Sequence, residues 1–162
     1  MSLERFHEAQ AKRSGGYDTA LAEIRAGGKR SHWIWYIFPQ IEGLGRSSTA
    51  RAYAIQDLDE ACAYLRDPIL GVHYQEILAA VSEQLTRGIR LEDLMGGRID
   101  ALKLVSSLTL FRAAAEQLGR EDPVYASLAG RLAASLELTS AQGYPACDFT
   151  LARIDTVGRD IE

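Results

Sequence analysis

Two separated stretches of the sequence carry the polar residues best suited to chemistry. One borders the aromatic block from Trp33 to Phe38, and the other lies in a long, otherwise apolar segment after Gly97. His32 directly precedes the first tryptophan, and burial there could tune a histidine for proton exchange near neutral pH. Asp100 begins the second stretch and could orient His32 or a lysine. We predict these two as catalytic residues, although His32 could equally cap or hydrogen-bond a helix end.

The other candidates would hold a ligand rather than react with it. Lysine ammonium groups suit an anion, amides and hydroxyls orient a ligand through hydrogen bonds, and a tryptophan ring can stack on a flat molecule. The predicted ligand-binding residues are Lys29, Trp33, Gln40, Lys103, Ser106 and Ser107. Each also has a structural interpretation: the tryptophan as core, the Asp100 and Lys103 pair as an ordinary helix ion pair, and the serines as bonded to the preceding turn.

No standard catalytic or nucleotide-binding motif accompanies these residues. The chain lacks GxGxxG, GxxxxGK[ST], HExxH and GxSxG. Gly43 and Gly45 follow Pro39 and favour a tight turn over a phosphate-binding loop. Cys62 and Cys147 show neither CxxC spacing nor a histidine cluster, so the sequence predicts no metal site and no cofactor.

Length and composition indicate one globular domain. The 162 residues are 47% hydrophobic and 25% charged, with a formal net charge of -4. Nucleic acids and anionic membranes reward clustered lysine and arginine, so neither partner is expected, whereas a small-molecule ligand is. No signal peptide is recognisable and no apolar run approaches the roughly 20 residues of a spanning helix. We therefore expect a cytoplasmic protein with reduced thiols, of undetermined oligomeric state.

Helical signals fill most of the chain, and no segment shows clear strand alternation. Apolar periodicity predicts helices over about 3–13, 18–26, 57–66, 68–88, 101–118 and from 123, with short turns at 33–38 and 91–95 and a short final helix near 148. Aspartates suited to helix capping are Asp18, Asp57, Asp67, Asp100, Asp122 and Asp148. The prediction is an all-α, single compact domain of about seven or eight helices spanning residues 1–162.

The helix predicted after Asp100 has an unusual polar stripe. At about 100° per residue, Asp100, Lys103, Ser106 and Ser107 share one narrow side of an otherwise apolar cylinder. A helix this apolar should be central in the fold. Its polar stripe should therefore face water, a partner or a pocket.

Several motifs resemble one bacterial family. They are R-F-x-x-A-Q at 5–10, G-x-K-x-S-H-W-x-W-x-I-F-P-Q at 27–40, G-L-G-x-S at 43–47, D-x-x-K-L-x-S-S-x-T-L-F at 100–111 and D-x-T-L at 148–151. Together they resemble domain of unknown function 1810, some members of which carry the label calpastatin. The pattern H-P-x-L-G-x-R-L is altered here, with Asp67, His73 and Tyr74 in place of histidine, arginine and leucine.

The resemblance implies a mainly helical domain and no particular reaction. A calpain inhibitor of the calpastatin kind is a long disordered chain, whereas this composition is that of a folding chain.

Two hypotheses follow from the residues. The first is a small-molecule site for an anionic ligand, with or without catalysis, between the His32 stretch and the Asp100 helix. The alternative is a non-catalytic helical interaction module or homo-oligomer, in which the polar positions cap helices and tie loops to the core.

Overall fold

The polypeptide is built from helices joined by short loops. The computed structural model describes the backbone of residues 3–161 and the side chains of residues 3–155. Within that range the helices are α1 (Glu4–Gln10), α2 (Tyr17–Arg25), α3 (Ile34–Ile37), α4 (Ser48–Ala52), α5 (Leu58–Arg66), α6 (Leu70–Thr86), α7 (Leu91–Met95), α8 (Arg98–Gly119), α9 (Pro123–Ala141) and α10 (Asp148–Ile161). The predicted all-α domain is confirmed. Seven of these ten helices have seven or more residues, and α4 was not predicted.

Side-chain caps define several helix starts. Asp57 accepts a hydrogen bond from the Glu60 amide at 2.8 Å, as its capping-box spacing predicts. Asp122 caps α9, with Pro123 as the first helical residue. Ser47 caps α4 by accepting from the Ala50 amide. The Ser47 cap fixes the end of the loop that precedes α4 and borders the cavity described below.

Three predicted caps are wrong, because the helices begin earlier than the aspartates suggest. Gly97, with φ of +141°, turns the chain so that α8 starts at Arg98, which places Asp100 inside the first turn. Gly16 likewise precedes α2, with Asp18 as its second residue. Asp148 is the first residue of α10. Acidic side chains in a first turn still complement the positive end of the helix dipole.

Helix α8 is the centre of the fold. It packs against α3, α5, α7, α9 and α10, and Leu104, Leu108 and Phe111 have no exposed surface. Leu102, which would be expected on the buried apolar side of this helix, is instead 45% exposed. Among the described residues, no helix is both long and apolar enough to cross a bilayer. The position of α8 brings its polar stripe against the aromatic block.

The aromatic block forms one buried helical turn, α3, as predicted. Trp33 and Phe38 flank this turn and are almost completely buried. After the block, the chain passes Ile41, which forms an isolated parallel bridge with Ile55. The bridge holds the loop between α3 and α4 against the loop that follows α4. These two loops enclose a cavity.

Candidate functional site

Two of the predicted stretches do meet, through a charged cluster. The Lys29 ammonium lies 2.8 Å from one carboxylate oxygen of Asp100, and the Lys103 ammonium lies 3.4 Å from the other. The Lys29 side chain is only 6% exposed. Because two ammonium groups share one carboxylate, this lysine–aspartate cluster keeps one excess positive charge.

Backbone contacts position the cluster. The Lys29 amide donates to the Leu94 carbonyl at 2.8 Å, so the segment before the aromatic block lies against the end of α7. Gly96 adopts a φ of +77°, and a Cβ there would lie 3.1 Å from the Lys29 carbonyl oxygen. This turn directs α8 so that Asp100 faces Lys29.

Each lysine also lies over a tryptophan. The Lys29 nitrogen is 4.9 Å from the centre of the Trp33 ring, and the Lys103 nitrogen is 4.3 Å from that of Trp35. Cation–π contacts of this kind contribute about 0.5 to 2 kcal/mol, depending on desolvation. The lysine–aspartate cluster therefore has several mutual contacts that stabilise the fold.

Glu23 is the residue that orders the segment leading to Trp33, and the sequence did not identify it. Its carboxylate accepts from the backbone amides of Arg30 and Ser31, from the Ser31 hydroxyl and from the Trp33 indole nitrogen. Partial burial alone would raise the pKa of this carboxyl group. The hydrogen bonds outweigh that effect and lower the pKa from 4.5 to about 2.

His32 is not brought into this cluster. Its side chain is exposed and has no hydrogen bond or ion pair with any side chain or backbone group in the described range. Its carbonyl oxygen accepts from the Tyr36 hydroxyl at 3.1 Å, so the residue contributes through its backbone. The predicted pairing of His32 with Asp100 has no contact to support it.

The predicted polar stripe on α8 continues into the core. Ser107 is fully buried and shares a hydrogen bond of 3.0 Å with the Tyr74 hydroxyl. Ser106 is 6% exposed and donates to the Leu102 carbonyl one turn earlier. The hydroxyls of both serines are thus engaged within the fold.

Gln40 lies in a different environment, at the wall of a cavity. This cavity, the Gln40 pocket, has a volume of about 350 Å³. Its lining comes from α3, the following loop and α4: Trp35, Gln40, Ile41, Glu42, Gly43, Gly45, Arg46, Ala50, Arg51 and Ala54. Gln40 is 4% exposed, and its side-chain nitrogen has no hydrogen-bond partner among the described residues.

Arg46 and Arg51 place two positive charges on the same pocket. Neither guanidinium forms a hydrogen bond or an ion pair within the described part of the chain. The opposing charge on the lining is Glu42, which lies 3.7 Å from the exposed Arg153 outside the pocket. The Gln40 pocket is therefore electropositive and has unused hydrogen-bond donors.

Gly45 permits the pocket wall to close. A Cβ at this position would lie 2.5 Å from the Ala50 Cβ and 2.8 Å from the Trp35 ring. Only glycine allows the loop to approach both α4 and the indole so closely. The tight turn predicted at 43–45 accounts for the glycines. The sequence analysis did not identify Arg46 and Arg51, which line the same pocket.

A larger cavity elsewhere has different chemistry. The groove between α6 and α9 has a volume of about 530 Å³ and an apolar lining that includes Leu78, Ala134 and Leu138. Its polar rim is internally paired, for example by the hydrogen bond of 2.7 Å between Ser82 and Ser135. We favour the smaller Gln40 pocket because buried polar groups without partners mark a ligand site better than volume does.

The fold and the two polar regions define an all-helical protein with an internally paired charged cluster and a neighbouring electropositive pocket. The chain belongs to the family described as "Protein of unknown function (DUF1810)", which matches residues 1–131. The predicted resemblance is thereby confirmed. The match includes every predicted site residue.

Comparison with solved structures agrees with that membership. The chain is similar to the conserved hypothetical protein Rv1873 from Mycobacterium tuberculosis, with 35% identity and a TM-score of 0.75. The similarity covers 93% of this chain and 94% of the mycobacterial one. The comparison with curated proteins finds no match.

Proposed function

We propose that this protein binds an anionic small molecule in the Gln40 pocket, as a cytoplasmic protein of a bacterium. The observation that carries the proposal is the buried, unpartnered side-chain nitrogen of Gln40 in a pocket that Arg46 and Arg51 also line. A buried donor without a partner costs about 1 to 3 kcal/mol, and a ligand acceptor would remove that cost. The proposed ligand site is the Gln40 pocket, and the lysine–aspartate cluster is not part of it.

The lining favours a carboxylate or phosphate group. Arginine donates two parallel hydrogen bonds to such groups, and Arg46 and Arg51 would supply two guanidiniums. The volume of about 350 Å³ lies at the lower end of the range for small-molecule sites. Gln40 would then hydrogen-bond a carbonyl oxygen or ring nitrogen elsewhere on the ligand.

The roles predicted for the two lysines change in this proposal. Lys29 is held by Asp100 and is nearly buried, so it would act through the fold. Lys103 lies over the Trp35 ring, which also lines the pocket, and it adds to the local positive potential. The catalytic roles of His32 and Asp100 stay predictions.

A thermal-shift screen tests the proposal. The probes are inorganic phosphate, sugar phosphates, nucleoside monophosphates and dicarboxylates, because a ligand at 100 times its dissociation constant stabilises by about 2.7 kcal/mol. We expect Arg46→Gln and Arg51→Gln each to weaken a hit. Arg120→Gln, at an exposed arginine outside the pocket, should not. A hit that all three variants weaken equally, or no hit with any anion, contradicts the proposal.

The interaction-module hypothesis has its own support. Ile99 and Leu102, three residues apart on α8, are 71% and 45% exposed, as expected for an apolar patch on one helix face. Under this hypothesis the chain would self-associate or bind a partner through α8. Light scattering would test it: a dimer that Ile99→Lys dissociates favours the module, and a monomer at all concentrations excludes the homo-oligomer.

A further inference from the structure

A second polar cavity lies between α1 and the start of α6 and has no role in the proposed function. This cavity, the His73 pocket, has a volume of about 370 Å³. Its lining includes Glu4, His7, Glu8, Gln10, Ile69 and His73. Two carboxylates and no lysine or arginine lie among these described lining residues. Its charge is thus opposite to that of the Gln40 pocket.

Hydrogen bonds fix which nitrogen of His73 carries the proton. The Gln10 side-chain nitrogen donates to the Tyr36 carbonyl and to the Tyr64 hydroxyl, both at 2.8 Å. A carbonyl oxygen can only accept, so this end of the Gln10 amide must be nitrogen and the other end oxygen. That oxygen lies 2.7 Å from Nδ1 of His73, which must therefore donate.

The His73 ring is held in one orientation by a second contact. It stacks on Tyr17 with ring centres 3.7 Å apart and planes inclined by 3°. The Tyr17 hydroxyl in turn donates to Glu76. With Nδ1 bonded to Gln10, the neutral ring has its lone pair on Nε2, which has no partner among the described residues.

The ring is neutral under ordinary conditions. Burial lowers the pKa of His73, and the nearby carboxylates of Glu76, Asp18 and Asp67 only partly oppose that effect. The other histidine of this pocket is already engaged, since Nε2 of His7 lies 2.8 Å from the Asp67 carboxylate. His73 thus offers an oriented acceptor in a pocket of negative charge.

We propose that the His73 pocket binds a small organic cation with an N–H group, such as a primary ammonium, which donates a hydrogen bond to Nε2 of His73. The positive charge would be stabilised by the carboxylate of Glu8 at the rim, and Ile69 would contact the alkyl part. The site differs from the Gln40 pocket in location and in the sign of its ligand.

Nitrogen-detected NMR of the ¹⁵N-labelled full chain tests the proposal. Ethylammonium chloride is the probe, and tetramethylammonium chloride, which has the same charge but no N–H, is its control. We expect His73 to show a protonated Nδ1 and an unprotonated Nε2, with a saturable Nε2 shift for ethylammonium only. An Nε2–H tautomer, equal shifts for both salts, or no saturable shift overturns the proposal.

A pair of variants locates the site. His73→Phe keeps the stacking on Tyr17 but removes both nitrogens, and we expect it to weaken ethylammonium binding about tenfold, read from the backbone amides of His7 and Gln10. Gln117→Phe, at an exposed residue of α8 outside the pocket, should bind as the unaltered chain does. If the variants bind equally, His73 is not the acceptor. If His73→Phe does not fold, the comparison of the two salts still decides.

Discussion

The lysine–aspartate cluster and the Gln40 pocket both border the Trp35 ring, yet they differ in whether their polar groups are paired within the fold. In the cluster, Lys29 and Lys103 both contact the Asp100 carboxylate. In the pocket, the Gln40 amide nitrogen has no partner within the described residues. The charged residues of the cluster therefore mainly join two segments of the fold. The polar groups of the pocket, on an irregular loop, remain available to a ligand.

The largest effect is expected from breaking the cluster. Asp100→Asn would leave the nearly buried Lys29 ammonium without its carboxylate, and we expect a loss of about 2 to 3 kcal/mol in the free energy of unfolding, because breaking a buried ion pair leaves an uncompensated charge. Urea denaturation measures this loss. Asp59→Asn, in the first turn of α5 and exposed, is the matched control and should change stability by less than about 1 kcal/mol.

The same experiment can separate structure from function in the cluster. If Asp100 is structural, Asp100→Asn should leave the affinity of any anion found for the Gln40 pocket nearly unchanged in the folded protein. Equal stability of the Asp100→Asn and Asp59→Asn variants would show that the cluster does not hold the fold together.

The pocket wall provides the second test. Gly45→Ala should destabilise by about 2 kcal/mol, because the new methyl group would overlap Ala50 and Trp35. Gly130→Ala is the control, since a Cβ within α9 at that position meets nothing within 4 Å, and it should be neutral or slightly stabilising. Thermal unfolding of both variants gives the comparison. A Gly45→Ala variant as stable as Gly130→Ala would mean that the loop does not approach α4 as described.

The third test concerns Glu23, which orders the segment between the cluster residue Lys29 and Trp33. The pKa of Glu23 is lower in the folded protein, about 2 against 4.5, so its stabilising contribution is complete above pH 4.5 and is lost as the pH falls towards 2. We expect Glu23→Gln to lose about 1.5 kcal/mol at pH 7. The difference from the unaltered chain should shrink through that acidic window.

Urea midpoints measured from pH 7 down to pH 2 check this expectation. Glu137→Gln, at an exposed glutamate on α9, serves as the control for removing one negative charge. A stability difference between the unaltered chain and Glu23→Gln that stays constant across the acidic range would contradict the assigned role of Glu23.

Sequence reasoning predicted the helical fold because helices leave local signals. Asp57 and Asp122 could be recognised as caps from their spacing alone. Asp100 was assigned wrongly because a preceding Gly97 at positive φ starts the helix three residues earlier, and no local pattern distinguishes the two starts. The sequence led us to expect that the stretch around the aromatic block and the Asp100 helix would meet, but not that Lys29 and Asp100 would form the contact.

The candidate pocket was harder to predict, since it depends on tertiary packing. Gln40 was predicted as a ligand-binding residue at the margin of the aromatic block and lies on the pocket wall, but Arg46 and Arg51 were not predicted, because a lone arginine near a turn is ordinarily a solvated side chain. Trp33 was preferred to Trp35, although the indole nitrogen of Trp33 bonds to Glu23 inside the fold. Only the folded loop shows which indole faces the cavity.

The smallest effect, and the one with the opposite sign, is expected at Gln40 itself. Gln40→Met keeps the length of the side chain and removes a buried donor that has no partner, so the ligand-free protein should gain about 1 kcal/mol in stability. The same variant should bind an anion found in the screen about tenfold more weakly, because the hydrogen bond from Gln40 to the ligand is lost.

Gln84→Met is the matched control for Gln40→Met. Gln84 is another buried glutamine, and its side-chain nitrogen donates to the carbonyls of Ile24 and Arg25, both at 2.9 Å. Its replacement should therefore destabilise, since two carbonyls lose their donor. If Gln40→Met stabilises the protein and Gln84→Met destabilises it, the result supports a site that keeps a donor free for its ligand at the expense of stability. Equal destabilisation would show instead that the Gln40 amide is as engaged in the fold as the lysine–aspartate cluster is.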